Sequence, residues 1–215
     1  MPYGTLATDA ISTTGNLAIT GNVTATGSLT AASNLSVNGN VTVTNGSVFS
    51  AGTPIQVQYV SSATRTTADS TSFVEPSTAY RVAITPKFAN SMIMLSYFIP
   101  AQAAGQGNTI YSVRAFRIIS GTTSYALTSA GSANGSRNPI AGHTFRPPGY
   151  DSNDPMPMIF TAVDFPNTTN TCTYGFEIKR ETGGTGTVYF GYSQGDNSNW
   201  GFDADILITA TEIKQ

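Results

Sequence analysis

The sequence predicts an all-β protein in two parts: a rod of six-residue repeats, wound as a triple-stranded β-helix or spiral, followed by an antiparallel β-sandwich of jelly-roll type. Three observations predict it. Residues 15–44 repeat one six-residue template five times without an insertion. About ten apolar-alternating segments follow residue 53. No segment carries the periodicity of an amphipathic helix.

The chain opens on a polar, small-residue lead-in, residues 1–14, in which Ile11 occupies the third slot of an imperfect preceding block. From Gly15 the blocks read GNLAIT, GNVTAT, GSLTAA, SNLSVN and GNVTVT. Position one is Gly or Ser, and positions three and five are apolar. The two columns are Leu17, Val23, Leu29, Leu35 and Val41, then Ile19, Ala25, Ala31, Val37 and Val43. A spacing of two within each block is strand periodicity. The recurring Gly supplies the backbone freedom to turn a corner every six residues. A repeat this short winds; it does not build a globular core.

One chain wound as a three-sided coil would use three blocks per turn, so five blocks would give under two turns with both ends open. That is too little core. Three parallel copies, each contributing one block per layer, make about five layers at roughly 4.8 Å, a rod of roughly 24 Å. Its larger core side chains are Leu17, Ile19, Val23, Leu29, Leu35, Val37, Val41 and Val43. Slipping one chain by a block keeps nearly every apolar side chain inward, so register must be fixed by the chain beyond the repeat. The expected assembly is an intertwined homotrimer, clamped by its second part.

The repeat slips register at Asn45-Gly46, and Ala51-Gly52-Thr53-Pro54 ends it. Gly and Pro here mark a boundary near residue 53, separating a rod of residues 15–52 from a domain of residues 53–215. The expected strands are Ile55–Ser61, Ser72–Glu75, Tyr80–Thr85, Ser91–Ile99, Thr109–Ser120, Ser124–Thr128, Met156–Asp164, Thr171–Arg180, Thr185–Tyr192 and Gly201–Ile213. Tyr80, Val82 and Ile84 share one face, as do Tyr174, Phe176 and Ile178, and Phe202, Ala204, Ile206 and Ile208. Gly183-Gly184-Thr185-Gly186 reads as a hairpin turn. Long polar loops are expected at Ala101–Asn108, Gly131–Gly142, Thr144–Asp154 and Gln194–Trp200, where binding would sit.

Composition narrows the chemistry. Of 215 residues 10% are charged, against about 25% in ordinary globular proteins. No Asp, Glu, Lys or Arg occurs between Asp9 and Arg65. A net charge of −2 and the lack of any Lys/Arg cluster disfavour nucleic acid. Cys172 is alone, so no intrachain disulfide framework is expected, and its alternating surroundings predict a buried, inert thiol. The start lacks the basic and apolar stretches of a secretory signal, and no run approaches 18 apolar residues, so no membrane insertion is expected.

Catalytic, cofactor and metal sites are not expected. His143 is the single histidine; it could join Asp151 or Asp154, but no nucleophile elbow accompanies it, and it reads as an ordinary loop histidine or a subunit contact. Asp151, Asp154, Asp196, Asp203 and Asp205 invite a calcium reading, yet DNSNWGFDAD matches no EF-hand loop. Asp203 and Asp205 alternate with Phe202 and Ala204, the pattern of an outward strand face. Phe145, Tyr150, Tyr192 and Trp200 lie in or beside loops, where aromatic rings suit stacking on sugar faces or packing at sheet edges and between subunits. Hexapeptide acyltransferases place Gly after the aliphatic residue and use a histidine near the coils; neither feature is present. Ice-binding solenoids carry continuous Thr-x-Thr ladders. Here Thr24-Ala25-Thr26 and Thr42-Val43-Thr44 are separated by blocks that break the ladder.

The opening MPYGTLATDAISTTGN and the GN-aliphatic-T repeat resemble the virion structural proteins of marine short-tailed cyanophages and the shafts of trimeric phage fibres. Ile55-Gln56-Val57-Gln58-Tyr59-Val60, Thr71-Ser72-Phe73-Val74, ITPKFANSMIML and GGTGTVYFGYSQGDN are similar to a fibre C-terminal domain. The resemblance implies a homotrimer in the virion, docked on other virion proteins through residues 1–14, with residues 53–215 outward. It implies a short tail fibre that binds a host-surface polysaccharide or protein receptor, or alternatively a capsid-attached head fibre or decoration protein. It carries no catalytic residue. A glycan-cleaving tailspike, the reading of another class, would need paired carboxylates in a cleft.

Overall fold

The structure is a computed structural model that describes residues 51–105, 110–125, 127, 130, 142–145, 157–181, 186–193 and 202–215. The chain divides after Asn45, and every described residue belongs to the second unit, Gly46–Gln215. The lead-in and the repeat, with the core positions expected from Leu17 to Val43, lie outside the described residues.

The described residues form an all-β fold of antiparallel sheets. Strands β1 (Pro54–Ser62), β12 (Ile206–Ile213), β4 (Met92–Ile99) and β9 (Met158–Asp164) make one sheet in that order. The second runs β3 (Val82–Ile84), β10 (Cys172–Arg180), β6 (Tyr111–Ile119), with β7 (Thr122–Ser124) and β8 (Gly142–Phe145) sharing the far edge of β6. A short third sheet orders β2 (Thr66–Ala68), β11 (Gly186–Phe190) and β5 (Ala101–Gly105). The pairings nest: β6 with β8, β4 with β9, β3 with β10, β1 with β12. Pairings of this kind between distant strands are consistent with a β-sandwich.

Alternation dictates which side of each strand is buried. Ile93, Leu95, Tyr97 and Ile99 of β4, Ile206, Ile208 and Ala210 of β12, and Met158, Phe160 and Ala162 of β9 point between the two large sheets. From the other side come Val82 and Ile84, Cys172, Tyr174, Phe176 and Ile178, and Val113 and Ala115, all buried, as the expected shared faces of β3 and β10 require. The Tyr97 ring stacks on Phe160 at 4.3 Å, and its hydroxyl donates to the Gly175 carbonyl across the sandwich at 3.2 Å. The β6–β7 hairpin turns on Ser120 and Gly121, both at positive φ, which fits a two-residue primed turn.

Pro100 is the joint between the large and small sheets. It lies between β4 and β5, where its missing N–H ends the β4 ladder, and its carbonyl accepts from Gly191 at 2.8 Å. Gly191 has φ of 78°, and an added Cβ would meet the Arg65 guanidinium at 2.9 Å.

Two carboxylates are buried in the roll. Asp164 at the end of β9 accepts from Arg117 at 2.6 Å and from the Tyr174 hydroxyl at 2.8 Å, tying the two sheets together. Glu212 on β12 accepts at Oε1 from the backbone N–H groups of Lys87 and Phe88 and from the Ser91 hydroxyl, and at Oε2 from Gln56. It therefore holds the β3–β4 turn with hydrogen bonds alone. Cys172 is buried and its thiol is pushed up by that burial.

Several expectations are corrected. Ser72–Glu75 is no strand: Val74 alone bridges Ile178, exchanging both backbone bonds, and Pro76 comes next but one. Tyr80 closes a 3-10 turn at Thr78–Tyr80, so β3 starts two residues later than expected. Ala101–Gly105 and Gly142–Phe145, expected as loop, are strands because β11 and β6 supply their ladders. The turn expected at residues 183–186 lies almost wholly outside the described residues, but β10 and β11 on either side of it pair in different sheets and so form no hairpin with each other.

Glu212→Ala leaves two backbone donors without an acceptor and is expected to cost about 3 kcal/mol, read as a lower urea midpoint. Burial pushes Tyr80 and Tyr111 up to about 12 and holds Tyr97 and Tyr174 higher still. Raised folded values mean that this stabilisation is complete below pH 10, the ordinary phenol value, and is lost as pH climbs from 10 through 12. The melting temperature is expected to fall across that window, with phenolate absorbance of these four rings rising together with unfolding.

Candidate interaction surface

Of the four aromatic residues singled out as ligand contacts, Tyr150 and Trp200 lie outside the described residues. Phe145 ends β8, in register with Tyr111 of β6. Tyr192 lies just after β11 and bridges Asp203. Phe145 belongs to the second sheet, whereas Tyr192 lies outside the named strands. The Tyr192 ring is half-buried and meets Tyr189 edge-on, with centroids 5.4 Å apart, so part of its surface is already spent on packing.

Asp203 and Asp205 are exposed but precede the strand expected from Gly201: β12 starts at Ile206, and Asp203 makes only an isolated bridge to Tyr192. Arg65 reaches both of them: its Nε donates to Asp203 at 2.5 Å and its Nη2 stands 3.9 Å from Asp205, which also accepts from Ser61. Among the described residues, no group of three or more His, Cys, Asp or Glu side chains is placed to hold a metal.

The two large sheets present contrasting outer faces. On the β6–β10 sheet, Arg114 lies between the Phe73 and Tyr125 rings, 3.9 Å and 3.6 Å from their centroids. Its Nε and Nη2 both donate to Glu177 Oε2, at 2.9 and 2.7 Å, while the Tyr125 hydroxyl donates to Oε1. Burial and that bond to Glu177 push the Tyr125 phenol up. Lys179 pairs with Glu181, which also accepts from Ser112. Phe116 lies against Gly175, where an added Cβ would stand 2.5 Å from the ring, and Arg81, paired with Glu75, approaches its other side. Rings and charges here satisfy one another. This face is closed.

The outer face of the β1-β12-β4-β9 sheet is open. Register places Ser61, Leu207, Phe98 and Ile159 across one end, Tyr59, Thr209, Ser96 and Thr161 across the middle, and Val57, Thr211, Met94 and Val163 across the other end. None of these residues is Asp, Glu, Lys or Arg. Of seven large apolar side chains exposed among the described residues, all but Ile110 belong to this face, led by Tyr59 at 70% and Ile159 at 64% exposure. β1 is an edge strand with no charge along its length, the kind of edge that proteins otherwise guard or cover. A strand can be apolar on both faces when both are covered. The segments MIMLSYFI and MIFTAVD carry that signal, which the emphasis on loop aromatics passed over.

No family model matches the chain, and no curated protein does. No helix among the described residues is long and apolar enough to cross a membrane.

Arg114→Met keeps much of the apolar stem between the two rings but takes away the cation paired with the largely buried Glu177, leaving it the Tyr125 hydroxyl. It is expected to lower stability by about 3 kcal/mol, checked by thermal melting against wild type.

Proposed function

We propose that this chain is a phage virion structural protein, a short trimeric tail fibre. In this reading residues 1–14 anchor it to other virion proteins, residues 15–52 form the shaft, and residues 53–215 trimerise and contact the host surface. The observation that carries it is the five-block repeat, whose two aliphatic columns need sister chains to be sheltered. The all-β roll with an uncharged outer face supports it, because a shaft free to slip by one block needs a partner domain that fixes register. Host contact, with a polysaccharide or protein receptor, would be multivalent: three weak sites on one rigid particle gain from effective concentration.

A second reading is favoured by Tyr192, whose ring is engaged with Tyr189. A capsid-attached head fibre or decoration protein, serving assembly and stability, needs no exposed stacking platform. For a glycan-cleaving tailspike, Asp203 and Asp205 offer no support, since both carboxylates face Arg65.

Light scattering of the purified full chain is expected to give three chain masses; a clean single-chain mass overturns the fibre reading. Labelled protein that binds host cells and is displaced by isolated surface polysaccharide supports the tail fibre. Protein that binds phage heads and ignores host cells supports the head fibre.

A further inference from the structure

We infer that the outer face of the β1-β12-β4-β9 sheet is the wall by which three copies of this domain close around a common axis. The inference rests on the trimeric reading and deepens it by naming the surface and its occupant, a second copy of the same chain.

Three arguments select that occupant. The first is connectivity. The last repeat block ends at Thr44 and β1 opens at Pro54, so in the trimeric reading only nine residues separate the repeat from the first strand of the wall. β1 also carries Val57 and Tyr59, two of the most exposed apolar side chains.

The second is charge. Twelve outward positions without a Lys, Arg, Asp or Glu can meet their own copies without repulsion or an unpaired buried ion. The closed face, with Arg114, Glu177 and Lys179, could not.

The third is width. Four strands at about 4.8 Å make a wall roughly 19 Å across. Three such walls, strands along the axis, form a triangular prism whose walls stand about 5.5 Å from the centre. Sheets that pack face to face lie about 10 Å apart, so each side-chain layer fills about 5 Å. A four-stranded wall is therefore the width at which three side-chain layers meet without a hollow. The same arrangement lays the bare edge of β1 beside β9 of the neighbouring copy, which covers an otherwise unguarded ladder.

The test uses the full chain. Tyr59→Asp and Ile159→Asp put a charge on the wall while facing away from the domain's own core, so each is expected to keep the wild-type strand circular dichroism and to drop from three chain masses to one at micromolar concentration. Lys179→Glu, on the closed face, is expected to stay trimeric. A second measurement does not depend on the behaviour of the Asp variants: Thr209→Cys, at the middle of the wall, is expected to give covalent dimers with a short bis-maleimide, whereas the wild type, whose Cys172 is buried, gives none. Trimeric wild type with trimeric Asp variants and no cross-link overturns the wall assignment alone and leaves the face to a different protein. A single-chain wild type overturns the trimeric reading beneath it.

Discussion

Everything in the roll depends on its last strand. β12 lies between β1 and β4, so the four-stranded sheet cannot form until β12 meets two strands far from it in sequence. It also delivers Glu212, whose carboxylate gathers Gln56, the Lys87 and Phe88 amides and Ser91 into one cluster. Most of the fold's pairings therefore join residues far apart in sequence, β1 with β12 above all. Such topologies close slowly, because loop entropy is lost before the contacts that compensate for it are made.

The strands that were legible in the sequence are those whose alternation survives in the folded state. β4, β6, β9 and β10 carry apolar residues at every second position, and each is found near its expected bounds. The illegible ones owe their conformation to a neighbour. Ala101–Gly105 has neither β-branched nor aromatic residues, and becomes a strand because β11 lies beside it. Ser72–Glu75 has the right pattern, yet Pro76 and the position of β10 leave room for a single bridge at Val74. The Gly-rich segment after Arg180 carries a turn signal in either topology, and nothing local says whether the strands it joins will share a sheet.

The candidate interaction surface left a different kind of trace in the sequence. Aromatic residues near loops drew attention to Tyr192, which the fold turns partly onto Tyr189. The more informative signal was the doubly apolar character of β4 and β9, since a two-layer sandwich can cover one face of each strand and no more. The two outer faces show both solutions to that problem. One is sealed by the chain's own Arg114, Phe73 and Tyr125; the other is left bare, with hydroxyl-bearing side chains across its middle and large apolar ones at both ends. A bare, uncharged sheet that size is a liability in isolation and an asset in an assembly.

Cys172 lies at zero exposure inside the β10 ladder, and it is the sole sulfhydryl in 215 residues. With no second thiol in the chain to couple with, and the sulfur shielded from oxidants, passage from a reducing compartment into aerated water leaves thiol chemistry idle. No disulfide can form within the domain, and its described sheets are held by noncovalent contacts.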